Sequence, residues 1–278
     1  MANDPWHLVA LAVPALRARG LTGRGITIGG VDTGIAIGHP SLAASIVRHL
    51  DVRGGAFDGN DVDGHGTGMV GLIVGGPGAV APEASIVSVK ALLAGPQGDL
   101  PHLVSGIQLA LDQGVDVLSL SVGIDTIDDS LSRLIQKAVG SGIVVVAAGE
   151  DGSSNSPLYP AALTAVISVT ASNAQQQCLF DQLPAWMDIA VPGAGLPTLS
   201  LQDTTTSTGT SPATAVSAAV CALLLQIAPA AKRRALAGQL LGFLSSTGQT
   251  PADASGPSSP KLLVPAAAAA EIDKWLAQ

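Results

Sequence analysis

Short runs of β-branched and small apolar residues recur along this chain, and stretches with helical spacing separate most of them. The first run, Gly25-Ile26-Thr27-Ile28-Gly29-Gly30-Val31, reads as a buried strand ending near Asp32. Further strands are expected at 46–51, 85–91, 116–122, 143–148 and 164–169, with helices at 65–75, 101–113 and 128–140 between them. This βαβ rhythm leaves few architectures open. It predicts an α/β fold in three αβα layers, with a mostly parallel central sheet and helices on both faces. A helical segment near 5–18 precedes the first strand. Residues 172–210 read as irregular, with short strands near 188–191 and 196–207, and helices near 211–227, 230–244 and 264–277 finish the chain. The Pro/Ser/Gly-rich stretch 251–260 reads as a loop, and no internal repeat is visible, so residues 1–278 are expected to form a single domain.

Composition agrees with close-packed helices and strands: 47% of residues are hydrophobic but only 3% are aromatic, with 33 glycines. That apolar share is ample for a sizeable core in 278 residues. The formal charge is −8, from 13 basic against 21 acidic residues. The one basic run, Lys232-Arg233-Arg234, is expected to cap or solvate a helix, so no nucleic-acid partner is expected. Two cysteines, Cys178 and Cys221, are too few for a disulfide framework, and Cys221 reads as a buried thiol. No segment reaches the ~20 uninterrupted apolar residues of a membrane span, so no membrane partner is expected either.

Three segments carry chemistry: Val31-Asp32-Thr33-Gly34-Ile35, Gly64-His65-Gly66-Thr67-Gly68 and Gly209-Thr210-Ser211-Pro212-Ala213. A serine hydroxyl is a weak nucleophile until an imidazole takes its proton, and the imidazole needs a carboxylate to fix its tautomer. Asp32 lies at a strand's carboxyl end, where open α/β sheets gather their functional groups. His65 begins an apolar helical run. Ser211, followed by the first-turn residue Pro212, opens another, whose free amides favour negative charge. The expected catalytic set is Asp32, His65 and Ser211.

With these residues in view, the chain resembles the subtilisin-like serine proteases (subtilases, peptidase S8 type), in which the order Asp, His, Ser is subtilisin's own. The likeness covers nearly the whole sequence. Pro5-Trp6 and Gly20–Ile26 resemble the family's approach to the first strand, and His39-Pro40, Val80-Ala81-Pro82 and Val89–Leu92 match later stretches. The resemblance implies a serine endopeptidase acting on peptides or proteins without a cofactor. It makes Ser121, Val122 and Gly123 one wall of the primary specificity pocket and Ala147, Ala148 and Gly149 the other, with Tyr159-Pro160-Ala161 following and Leu100 at the substrate-binding edge.

Three departures stand out. Where the family carries an asparagine that donates to the developing oxyanion, this chain has Glu150. An ionised carboxylate only accepts hydrogen bonds. Losing that donor costs roughly 2.7–4 kcal/mol, a figure that is subtilisin's own. Either Glu150 is protonated and donates, or it turns away and leaves the Ser211 amide alone at the oxyanion site. The serine-carboxyl peptidases use an acidic residue there but replace the base histidine with glutamate, which His65 argues against. Second, many relatives bind calcium at a loop after the histidine helix. Gly75–Ala79 is short, Ser41 follows Pro40, and the set of six to eight oxygens is lacking, so no metal is expected. Asp58, Asp61 and Asp63 are expected to form a solvated acidic rim on the cleft, on a surface that mildly favours cationic peptides. Third, Gly68 replaces a common second histidine, with only a packing consequence expected.

An aspartic protease would need a second Asp-Thr-Gly, and Asp203-Thr204-Thr205 lacks the glycine. His7, His39, His49 and His102 lack metal-ligand spacing and read as structural or surface residues. The competing function is a catalytically impaired protease scaffold that binds peptide along its cleft edge while Glu150 blocks turnover. The first residues lack a signal-peptide layout, giving the expectation of a cytoplasmic enzyme, or a secreted one if processed segments are missing. A narrow task, such as maturing one precursor, suits a slow protease with an acidic oxyanion position.

Overall fold

The computed structural model describes residues 4–92, 99–149, 157–180, 183–254 and 259–278. In chain order it contains α1 (Trp6–Ala10), α2 (Val13–Ala18), β1 (Thr27–Asp32), β2 (Ile46–Asp51) and α3 (His65–Val70), which runs into a π-helical turn at Gly71–Gly75. Then come β3 (Ser85–Lys90), α4 (Leu100–Asp112), β4 (Val117–Leu120), α5 (Asp129–Gly140), β5 (Val144–Ala148), β6 (Ile167–Ser172) and β7 (Ile189–Pro192). A hairpin, β8 (Leu196–Leu199) and β9 (Thr204–Ser207), precedes α6 (Thr210–Leu225). The chain ends with α7 (Ala230–Ala237), α8 (Leu240–Thr247), β10 (Lys261–Leu262) and α9 (Pro265–Leu276).

Eight strands form one sheet in the order β10-β7-β6-β5-β4-β1-β3-β2, with every neighbouring pair parallel. The sheet divides two apolar layers. Ile28, Val117, Val146, Ile167 and Val169 pack with α6, α8 and α9 on one face. Val31, Val89, Leu118, Leu120 and Val145 pack with α4 and α5 on the other. This is the expected three-layer α/β fold. At its centre, α6 is buried from Pro212 to Leu225 and touches β1, β4, β5, β6 and β7. An all-round apolar helix belongs in a core. Its alanines at 213, 215, 218, 219 and 222 let it lie close to the sheet.

Several boundaries differ from the sequence reading. The helical segment at 5–18 is broken at Ala12, which adopts φ 51°. The expected helix 230–244 is two helices, interrupted at Gly238-Gln239, so that Leu236 and Leu240 are both fully buried. The strand expected at 164–169 begins at Ile167, because Ala165 turns the chain with φ 70°. The two-residue β10 was not foreseen and extends the sheet beside β7. Lys232, Arg233 and Arg234 do more than solvate their own helix. Arg233 donates to Gly25 O (2.9 Å), Arg234 donates to Gly140 O at the end of α5 (2.7 Å), and Lys232 lies over the Trp275 ring.

Gln226, which caps α6, fastens the approach to β1. Its Oε1 accepts from Thr22 N (2.8 Å) and Gly23 N (2.7 Å), and its Nε2 donates to Gly20 O (2.9 Å). Gly23 holds φ +85°, and a β-carbon there would lie 2.9 Å from Ala81 Cβ, so the turn admits only glycine. Removing one side chain that satisfies three backbone groups costs about 1–3 kcal/mol. Gln226→Ala is therefore expected to lower Tm by several degrees, at about 2–4 °C per kcal/mol. An unchanged Tm by calorimetry would show that this latch does not hold the N-terminal segment.

Candidate active site

Parallel register brings the carboxyl ends of β1, β3 and β4 together, with Asp32 opposite Lys90 and Val31 opposite Leu120. Asp32 is 6% exposed at the end of β1. Its Oδ1 accepts from Thr33 N (2.6 Å) and lies 2.7 Å from His65 Nδ1. A carboxylate can only accept, so Nδ1 carries the hydrogen and Nε2 is left as the ring's acceptor. Burial disfavours the imidazolium. The opposing charge and hydrogen bond of Asp32, with the charges of Asp63 and Asp61, outweigh it and hold the His65 pKa above its ordinary value.

Two threonines stitch the segments together. Thr33 Oγ1 accepts from Gly66 N (2.9 Å), while Lys90 Nζ donates to Thr33 O (2.6 Å). Thr67 Oγ1 donates to Asp61 (2.6 Å) and accepts from Ala36 N (2.9 Å). Two close approaches accompany these bonds. Gly34 holds φ +104°, and a β-carbon there would overlap Gly59 O. One on Gly66 would overlap Gly34 O and lie 3.1 Å from Asp32 Oδ1. Glycine is required at both positions.

Asp58 and Asp63 are exposed, as expected of a solvated acidic rim, but Asp61 turns inward. It is 3% exposed and accepts from Asp63 N (2.9 Å), Gly64 N (3.0 Å), Thr67 N (3.0 Å) and the Thr67 hydroxyl. Burial pushes its pKa up, but the hydrogen bonds from Gly64, Thr67 and Asp63 together hold it below the usual carboxylate range. Asp61 thus ties the loop before α3 to Thr67 in the helix's first turn, two residues from His65. Asp63 accepts from His65 N (3.2 Å), and Asp58 accepts from Asn60 N (3.0 Å). The sequence signal for Asp61 was an aspartate six residues before Thr67, a capping pattern outside the usual three-residue spacing.

Ser211 lies in the first turn of α6, which packs against α3 and β4, and its carbonyl accepts from Ser121 Oγ (3.2 Å). Among the described residues no hydrogen bond joins the Ser211 hydroxyl to His65, and such bonds often tighten only with substrate bound. Ser121 and Val122 are buried just beyond β4, Gly123 is partly exposed, and Ala147 and Ala148 end β5. A β-carbon on Gly149 would overlap Met187. Leu100 opens α4. Glu150 lies outside the described residues.

In the loop after the π-helical turn, His7 Nε2 donates to Gly78 O (2.8 Å), and the Arg17 guanidinium donates to Ala79 O and Val80 O. His7 is fully buried and His39 nearly so, both inside the fold. Cys221 is buried too, its thiol pushed up to about 12 by desolvation. Gly68 is buried, and a β-carbon there would lie 3.3 Å from Leu199 O.

A carboxylate–imidazole pair at the end of a parallel strand, with a serine at the head of the central helix, defines a class of serine hydrolases. Comparison with known proteins narrows it. Residues 23–254 match the model of the subtilase family, Peptidase S8. Subtilisin DY of Bacillus licheniformis is 32% identical over 254 residues, covering 87% of this chain and 90% of its own. Subtilisin BL of Lederbergia lenta is 31% identical over 265 residues, covering 91% and 95%. A cold adapted subtilisin-like serine proteinase superimposes with a TM-score of 0.76 at 26% identity, over 87% of this chain and 89% of that one. The chain belongs to the subtilase family and is a subtilisin-like serine protease.

Thr67→Val keeps the shape of the side chain but removes its hydroxyl, leaving Ala36 N without its acceptor and Asp61 with three donors in place of four. It is expected to destabilise the fold by about 1–3 kcal/mol and to lower kcat with KM little changed, because the turn that presents His65 loosens. Denaturant melts and steady-state kinetics check this. Equal stability with unchanged kcat/KM would show that the Asp61–Thr67 pair does not support the site.

Proposed function

We propose that Asp32, His65 and Ser211 are the catalytic residues of this protease. Ser211 Oγ attacks the peptide carbonyl, His65 Nε2 takes its proton and returns it to the leaving amine, and Asp32 orients and stabilises the imidazolium. The Ser211 amide, among the free N–H groups at the head of α6, donates to the oxyanion. Glu150 lies at the family's other donor position and makes turnover slow at neutral pH, which suits a specialised processing role. Ser121–Gly123 and Ala147–Gly149 flank the side chain on the amino side of the scissile bond, with Leu100 at the cleft edge. The observation that carries this reading is the 2.7 Å contact of His65 Nδ1 with Asp32, which leaves Nε2 as the base.

A fluorophosphonate probe is expected to label Ser211, with labelling abolished in Ser211→Ala. Absence of labelling from pH 5 to 9 would favour the peptide-binding alternative. The base must be neutral to work, so kcat/KM is expected to rise with pH through a midpoint above about 6.5, the ordinary histidine value. Asp63→Asn removes one charge that raises the His65 pKa, so it should move that midpoint to lower pH. A midpoint unmoved in this variant would contradict the electrostatic account. Glu150→Asn is expected to raise kcat at neutral pH, and an unchanged or lower kcat would show that the carboxylate is no liability there.

A further inference from the structure

The segment leaving β4 has one face toward Ser211 and the other toward α4 and α5. Leu118, Leu120 and Val122 all pack in the apolar layer beneath α4 and α5. Ser121, between the last two, points the opposite way and donates to Ser211 O. Alternation puts Gly123 on the same face as Ser121. What occupies that face is the side chain of Leu158. A β-carbon built on Gly123 would overlap Leu158 Cγ and lie 2.6 Å and 2.9 Å from its two methyl carbons.

Leu158 is held there by the backbone. Ile124 and Tyr159 form an antiparallel bridge, each N–H donating to the other's carbonyl at 2.8 Å. Residues directly opposite share a face, so their neighbours Gly123 and Leu158 share the other one. Ile124 and Tyr159 indeed pack against the α4–α5 layer. Leu158 N-terminal to that bridge is further fixed by its carbonyl, which accepts from Ala162 N (2.9 Å).

We infer that Leu158 fills the primary specificity pocket and restricts this protease to peptides with glycine or alanine on the amino side of the scissile bond. The inference rests on the wall assignment proposed above. A branched four-carbon side chain packed on Gly123 occupies the volume that a large substrate side chain would need. Truncating it to hydrogen reopens that volume. A misfit of a single methylene in such a pocket already changes specificity by roughly 10–200-fold.

The test uses the intact enzyme and a series of peptidyl phosphonates that differ only in the residue next to phosphorus: glycine, alanine, leucine or phenylalanine. A small fluorophosphonate reports Ser211 reactivity independently of the pocket. Wild type is expected to react with the alanine probe at least about tenfold faster than with the phenylalanine probe. In Leu158→Gly the phenylalanine-to-alanine rate ratio should rise about tenfold or more, with Leu158→Ala between the two. A wild-type enzyme that reacts equally well with the phenylalanine probe overturns the inference without any variant. So does a Leu158→Gly enzyme of unchanged Tm and unchanged ratio. Failure of the small fluorophosphonate to label Ser211 would instead overturn the catalytic assignment, and this inference with it.

Discussion

The hydrogen bond from His65 Nδ1 to Asp32 Oδ1 joins segments that lie 33 positions apart in sequence, and much of the site depends on it. It requires a strand that ends at the aspartate, a helix that begins at the histidine, and a backbone approach close enough to exclude every side chain at Gly34 and Gly66. Thr33 and Thr67 hold that approach with hydrogen bonds across the gap. Thr33 and Thr67, beside Asp32 and close to His65, are therefore positioning residues. Their exchange of backbone and side-chain hydrogen bonds makes the two segments one rigid unit.

Charge is arranged around the imidazole in the same economical way. Asp61, buried and taking four hydrogen bonds, is structural first, yet its charge and that of Asp63 raise the proton affinity of His65. An imidazole held above the ordinary histidine value is, when neutral, the stronger proton acceptor. On the far side of the cleft, α6 brings Ser211 against β4 and α3 through a helix whose small residues permit close packing. One core element thereby sets both the stability of the sheet and the place of the serine.

Much of this was legible in the sequence. The strands β1, β2 and β4 and the helices α4, α5 and α9 fell within a residue or two of their expected positions, because each is a run of one period bounded by turn residues. The helical segments 5–18 and 230–244 were read as continuous, since Ala12 carries no turn signature and a lone glycine such as Gly238 is tolerated inside a helical pattern. Within the acidic cluster before His65, Asp61 alone was misread, for a different reason. A charge count cannot show that Asp61 turns inward to meet Thr67, a partner made available only by tertiary folding. Nor could the approach of Leu158 to Gly123 be read, because it is made through a bridge between residues 35 positions apart.

The arrangement around His65 has a direct spectroscopic signature. In ¹⁵N-histidine NMR of the free enzyme, with the resonances assigned by their loss in His65→Ala, a pH titration reports both tautomer and proton affinity. The account predicts a neutral form with hydrogen on Nδ1 and a bare Nε2, and a titration midpoint above about 6.5. A neutral form protonated at Nε2, or a midpoint below that value, would contradict it.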